Sequence, residues 1–385
     1  MDERLRLRWL TRTAWAGMFV FGLAMALLGA ILPLVTARLQ LDLGRAGALF
    51  AVMNSAMLVS MLALGPAMDR FGERPALLAG SLLTALALWL IAGAGGYAAL
   101  AAALALLGVG GGALNGATNT LVADLHPDPR AKNAALNLLG VFFGIGALAI
   151  PLAIGWLIEA LGLAAILWLA AAASLAPAAG AAAFRFPPPG KAERASLGET
   201  LSLARNPVVL LFGVLLFFQS GTEFIMGGYT STYLTREAGL DIRAASYTLA
   251  GYWGAMMLTR LILSRVLLRA RAPAVVSAGA LATAACVVLM TSARDSALAV
   301  AAIVATGACL SSIYPTVLGQ AGTRFAARSG TVFGLLFAMA LVGGMTLPWA
   351  LGRLAEARGF RVALLIPAAN ALAVFWLQSV IARRP

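Results

Sequence analysis

The chain has 385 residues, 61% hydrophobic and only 11% charged. A soluble globular chain is roughly a quarter charged, so this composition cannot cover a water-facing surface and excludes that class. The net charge of +13 would suit nucleic acid if it formed one patch, but the 28 Lys and Arg stand mainly in the tails and in short breaks between apolar runs.

A bilayer core of about 30 Å takes roughly 20 apolar residues per helix, and on that measure about twelve membrane-spanning helices are predicted. The first, near 13–36, follows an Arg-rich start. Spans two and three, near 45–65 and 76–94, flank a short charged turn. The fourth, near 97–122, holds GVGGGALNG (108–116), which inside a membrane reads as close helix packing rather than a phosphate cradle. The fifth and sixth, near 133–157 and 163–183, precede the one long polar break, 184–206, rich in proline and charge. The others fall near 207–235, 245–266, 274–291, 297–322, 330–353 and 361–382. The runs are too long for a β-barrel and lack its period-two alternation. The expected fold is therefore all-α, with two pseudo-symmetric six-helix bundles over 1–183 and 207–385 joined by a linker over 184–206.

Lys and Arg concentrate on the side that holds the N-terminus, which sets both termini in the cytoplasm. A multi-pass monomer in a plasma membrane (the inner membrane in a bacterium) is expected. No removable signal peptide is expected, because no apolar core leads to a small-residue cleavage site. Cys286 and Cys309 fall within apolar spans and read as packing residues. His126 stands alone in a turn, and no metal-ligand, cofactor or nucleophile pattern is found.

The two halves repeat. GALAIPLAIGWLIEALG (146–162) aligns without a gap on GGMTLPWALGRLAEARG (343–359), pairing Gly146, Pro151, Gly155, Glu159 and Gly162 with Gly343, Pro348, Gly352, Glu356 and Gly359. The same offset places Gly110 over Gly307, Asn115 over Ser312 and Asn119 over Thr316. Internal repeats of this kind mark secondary transporters, whose substrate sites lie near the midplane. Pro151 and Pro348 are expected to bend their helices for gating.

Between spans two and three stands GPAMDRFGERP (65–75). It resembles the signature loop of the major facilitator superfamily through Gly65, Asp69, Arg70, Gly72 and Arg74, with Glu73 where a basic residue is usual. The resemblance implies a conformational latch on the cytoplasmic side, where Asp69 meets an arginine or a helix N-terminus. Arg260, toward the cytoplasmic end of the eighth span, resembles an arginine common there in the superfamily. It is grouped with the latch, snorkelling or pairing with a loop. Residues 116–151, 221–234 and 311–322 more narrowly resemble the fucose permease and sodium-dependent glucose transporter relatives. That resemblance implies monosaccharide transport with protons, or sodium in some members. The acidic residues of fucose permeases in spans one and four correspond to Gly29 and Asn115, so that coupling chemistry does not carry over.

Glu223 is the one acidic residue placed in mid-span, with Gln219 one turn earlier on the same face. A carboxylate in hydrocarbon costs several kcal/mol, and Gly221, Gly227 and Gly228 loosen the helix around it, so it should face a cavity. Four uses remain open: proton coupling, acceptance of hydrogen bonds from sugar hydroxyls, sodium coordination, or a structural pairing with Arg260. A sugar site also needs amides and aromatic faces. The candidates are Asn54, Asn115, Asn119, Asn137, Gln219, Glu223, Tyr252, Trp253, Tyr314 and Asn370, with interhelical bonding the plainer use of each. The reading is a proton-coupled symporter of a glucose-like hexose working by alternating access, without cofactor or metal. The alternative is a proton-coupled efflux antiporter for amphipathic drugs. Against it, LALLGVGGGALNG (104–116) lacks the fourth-span arginine usual in those exporters. One mid-membrane carboxylate without an intramembrane histidine makes no catalytic pair, so no enzyme is expected.

Overall fold

The computed structural model describes residues 3–126, 128–186, 197–266 and 270–383. Among these the chain is helical throughout, with no strand. It divides into two compact units, Met1–Ile31 with Val52–Ala192, and Leu32–Ala51 with Glu193–Pro385.

The first unit is built from most of α1 (Glu3–Leu39), the later part of α2 (Leu43–Phe71), α3 (Glu73–Gly93), α4 (Tyr97–Leu125), α5 (Pro129–Ala173) and α6 (Ala176–Ala183). Asp128 starts α5 by accepting the Ala131 N–H at 2.8 Å, with Pro129 in the first turn, where its missing donor costs nothing. Gly162 (φ 71°) turns α5 where the fifth and sixth spans were predicted to part. The glycines of α4 let backbones meet. A Cβ at Gly108 would strike the Met53 carbonyl, and one at Gly110 would lie 2.8 Å from the Thr84 nitrogen. The run at 108–112 is thus a packing stripe, as predicted.

The second unit holds α7 (Leu197–Ala204), α8 (Pro207–Arg236), α9 (Ile242–Val266), α10 (Ala272–Ser292), α11 (Ser296–Leu310), α12 (Ile313–Arg324), a 3-10 turn over Ala326–Arg328, α13 (Ser329–Arg358), α14 (Phe360–Ala363) and α15 (Ile366–Ala382). The turn between α1 and α2 packs here too. The side chain of Asn206 caps α8, accepting from Val208 N–H at 2.9 Å. The long crossing of α8 and α13 is set by Gly343, where a Cβ would strike the Phe217 carbonyl, and by Gly344 against the Phe224 ring.

Ten stretches among the described residues are long and apolar enough to cross a membrane. The predicted fifth and sixth spans form one of them, Ala135–Ala183. The predicted eighth span is α9, whose Ser246, Tyr247, Thr248, Tyr252, Thr259 and Arg260 leave it short of the required apolarity. The predicted tenth span is broken between α11 and α12.

The repeat is visible in packing. Gly146 closes on the Phe19 carbonyl in one unit, and Gly343 on the Phe217 carbonyl in the other. For the fourth and tenth spans the contacts correct the register read from sequence. Gly108 meets the Met53 carbonyl as Gly307 meets that of Tyr252, and Gly80 meets the Gly110 carbonyl as Gly279 meets that of Cys309. These pairs place Gly307 over Gly108, not over Gly110, and Tyr314 over Asn115. The two segments slip by two residues relative to the fifth and eleventh.

Candidate functional site

The second unit gathers a charged cluster among α8, α9 and the α11–α12 break. Gln219 and Glu223 lie one turn apart on α8, and Gln219 Nε2 donates to Glu223 Oε2 at 3.0 Å. From α9, Arg260 Nη2 lies 3.9 Å from Glu223 Oε1, with both side chains largely removed from solvent. Arg260 Nε also donates to the Ser311 carbonyl at 3.4 Å, and Nη2 contacts the Met256 sulfur at 3.4 Å. The break explains that carbonyl. Proline at 315 has no N–H for the helical bond to residue 311, so the Ser311 oxygen is left for a side-chain donor.

Two tyrosines complete the cluster. The phenols of Tyr252 and Tyr314 both lie within electrostatic reach of Glu223 and Arg260. Tyr252 is fully buried and its hydroxyl has no hydrogen-bond partner among the described residues, as is true of Gln219 Oε1. Trp253 packs edge-on to Tyr252, with centroids 5.2 Å apart at 75°. The Tyr314 ring lies parallel to Phe337, 6.3 Å away at 4°. A carboxylate, a guanidinium, an amide and two phenols converge here. Such a set can bind a polyhydroxylated ligand.

The structure therefore joins Gln219, Glu223, Tyr252, Trp253, Tyr314 and Arg260. Arg260 was grouped with the cytoplasmic loop, yet its guanidinium stands beside Glu223. Asn370 is buried on α15, its amide nitrogen without a partner among the described residues. In the first unit Asn54 is buried. Asn119 donates to the Asn115 side-chain oxygen at 2.9 Å and to its carbonyl at 2.8 Å. Asn137 is exposed. An open crevice of about 590 Å³ lies elsewhere in the second unit, lined by Phe212, Thr316, Gln320 and Arg324 among others. None of the Glu223 cluster lines it, so the chemistry is assigned to the cluster and not to the larger space.

At the signature loop, Gly72 (φ 75°) turns α2 into α3. Arg74 Nε donates to the Ala181 carbonyl at 2.9 Å and Nη2 to Ala182 at 3.2 Å, closing the end of α6. Arg70 lies over the Phe71 ring. The side chain of Asp69 and position 65 lie outside the described residues. Sequence reasoning passed over Ser311 and Met256, although Pro315 signalled the exposed carbonyl. It also passed over the joint of Gly44, Tyr229 and Glu356.

The chain belongs to the Major Facilitator Superfamily, whose sequence profile matches residues 14–292. It is thus a membrane transporter of that superfamily. Its fold is similar to that of the nucleoside transporter NupG, with a TM-score of 0.81 and 15% identity over 97% of this chain and 99% of that one. It is similar to a D-xylose-proton symporter (TM-score 0.82, 13% identity, 97% of each chain). It is also similar to the E. coli fucose:proton symporter FucP (TM-score 0.69, 19% identity, 97% of this chain and 98% of that one). At these identities the likeness is one of fold. No curated protein sequence matches the chain.

Proposed function

We propose that this transporter moves a glucose-like hexose by alternating access, in symport with protons, with Glu223 as the coupling carboxylate. The observation that carries the reading is the Gln219–Glu223–Arg260 arrangement beside Tyr252 and Tyr314. When Glu223 is ionised, Arg260 balances it. When Glu223 takes a proton, Arg260 keeps the Ser311 carbonyl and its other N–H groups are freed toward a ligand hydroxyl. A carboxylate that changes charge between facing states links proton movement to substrate movement. The printed activities of the fucose and xylose symporters are in keeping with this. The layout proposed with it is two six-helix halves over 1–183 and 207–385 in a monomer, both termini cytoplasmic.

A nucleoside is the second reading. The parallel Tyr314–Phe337 rings would suit a flat base, and the nucleoside transporter is a near neighbour in fold.

The test is uptake of radiolabelled glucose into proteoliposomes in sodium-free buffer, with and without an inward proton gradient, with a labelled nucleoside in parallel. Gradient-dependent glucose accumulation is expected. Nucleoside uptake alone would transfer the site to the second reading. Accumulation seen only in a parallel series where an inward sodium gradient replaces the proton gradient would remove the proton from the mechanism.

A further inference from the structure

A joint in the second unit has no part in the substrate chemistry. It lies at the end of α1 and α2 away from the N-terminus. Glu356, in the last turns of α13, accepts the backbone N–H of Gly44 through Oε1 at 2.7 Å. Gly44 is in the first turn of α2, where N–H groups lack intrahelical partners and the helix dipole favours an anion. Around this bond the backbones touch. A Cβ on Gly44 would sit 2.7 Å from Glu356 Oε1, one on Gly47 would lie 2.9 Å from the Pro348 carbonyl oxygen, and one on Gly352 would strike the Leu43 carbonyl. The buried Tyr229 hydroxyl donates between the two helices, to the Pro348 carbonyl at 3.2 Å and the Leu43 carbonyl at 3.5 Å.

We propose that Glu356 is the bolt of a releasable clasp, holding the α1–α2 turn on α13 and setting how often that turn lifts from it. Three features make the contact releasable rather than a fixed core. The backbones meet through Gly44, Gly47 and Gly352, so these closest contacts interlock no side chains, and the Phe50 ring against Tyr229 is what must be withdrawn. Asp42 interacts directly with the Glu356 side chain, placing a second carboxylate beside the bolt. The exposed Arg353 is already 3.6 Å from Glu356 Oε2 and offers the carboxylate a partner when Gly44 departs. Glu356 thus has two discrete partners, as a two-state element requires. The proposal does not depend on which substrate is carried.

The test is alkylation of a reporter at Ala46→Cys, a buried position at the joint, with Cys286 and Cys309 replaced by serine. No substrate is needed, so its outcome is separate from that of the uptake experiment. Glu356→Gln should accelerate maleimide labelling about tenfold, as expected for a lost charged hydrogen bond. Gly44→Ala should do the same by displacing the carboxylate without changing any charge, and it stands in if Glu356→Gln fails to fold. A second reporter at Ser81→Cys, buried on α3 in the first unit, should not change its rate. Unchanged labelling at position 46 in the folded variants, or equal acceleration at position 81, overturns the proposal.

Discussion

Replacing Arg260 by glutamine probes the cluster most directly. At 3.9 Å the pair attracts by about 4 kcal/mol at an effective permittivity of ~20. Desolvating both ions offsets most of that, so the pair as a whole contributes on the order of 1 kcal/mol. Removing one partner is different, because it strands the other. The side chains are 31% and 18% exposed, so the stranded charge keeps some water. The expected loss is therefore about 2 kcal/mol, below the 3–5 kcal/mol of a fully buried pair. Arg260→Gln and Glu223→Gln should each lower the apparent melting temperature, read at one scan rate in one detergent. The double variant, with no ion left, should recover much of the combined loss. If its shift equals the sum of the two singles, the ions are not coupled and the site as described here is wrong.

Glu223→Gln should abolish proton-driven accumulation while counterflow exchange persists; retention of full accumulation would end the coupling role. Gly343→Ala should cost more than 2 kcal/mol or prevent folding, since its Cβ meets the rigid Phe217 carbonyl and not a side chain, and the melting temperature reads this out. Tyr233→Phe removes a buried 2.8 Å bond to the Met290 carbonyl and should cost about 1 kcal/mol with transport unchanged. Asp42 caps α2, and its bond from the Arg45 N–H, with smaller help from Glu356 and the Arg45 charge, holds its carboxyl below the usual 3.8. A depressed value stabilises above the usual pKa and is lost as pH falls through the folded one. The hydrogen-exchange protection factor of the Arg45 amide should hold above pH 4 and drop at lower pH. Arg45 on α2 and Glu356 on α13 are the groups that act on it.

The helices were legible because hydrocarbon imposes a length and an apolarity that sequence displays directly. Where the chain departs from that demand, the reading blurred. α9 carries enough polar residues to serve the cluster, and α11 and α12 part at Ser311 and Ser312, one turn before Pro315, a break that a hydropathy window spans without noticing. Glu223 and Gln219 were found because their neighbours are apolar and a single helical turn joins them. Arg260 could be found but not placed, since a position near a span end is compatible with both snorkelling and inward pairing. The carbonyl freed by Pro315, together with Glu223, sets which way the guanidinium turns.

The two-residue slip between the repeats shows why the joint at Glu356 escaped notice. A gapless alignment rewards the fifth and eleventh spans, where Gly, Pro and Glu recur, and imposes their offset on everything else. The structure instead aligns the earlier spans through backbone carbonyls facing glycines. In that register Asp42, accepting from Arg45 N–H, matches Asp241, accepting from Ala244 N–H, at the starts of α2 and α9. Both helix starts therefore carry the same cap, and Glu159 and Glu356 recur at matching ends of the repeated helices. Their recurrence is visible in the sequence. That one of them reaches a helix N-terminus is not, because the partner is a backbone N–H, which any first-turn residue could supply, reachable here because Gly44 has no side chain.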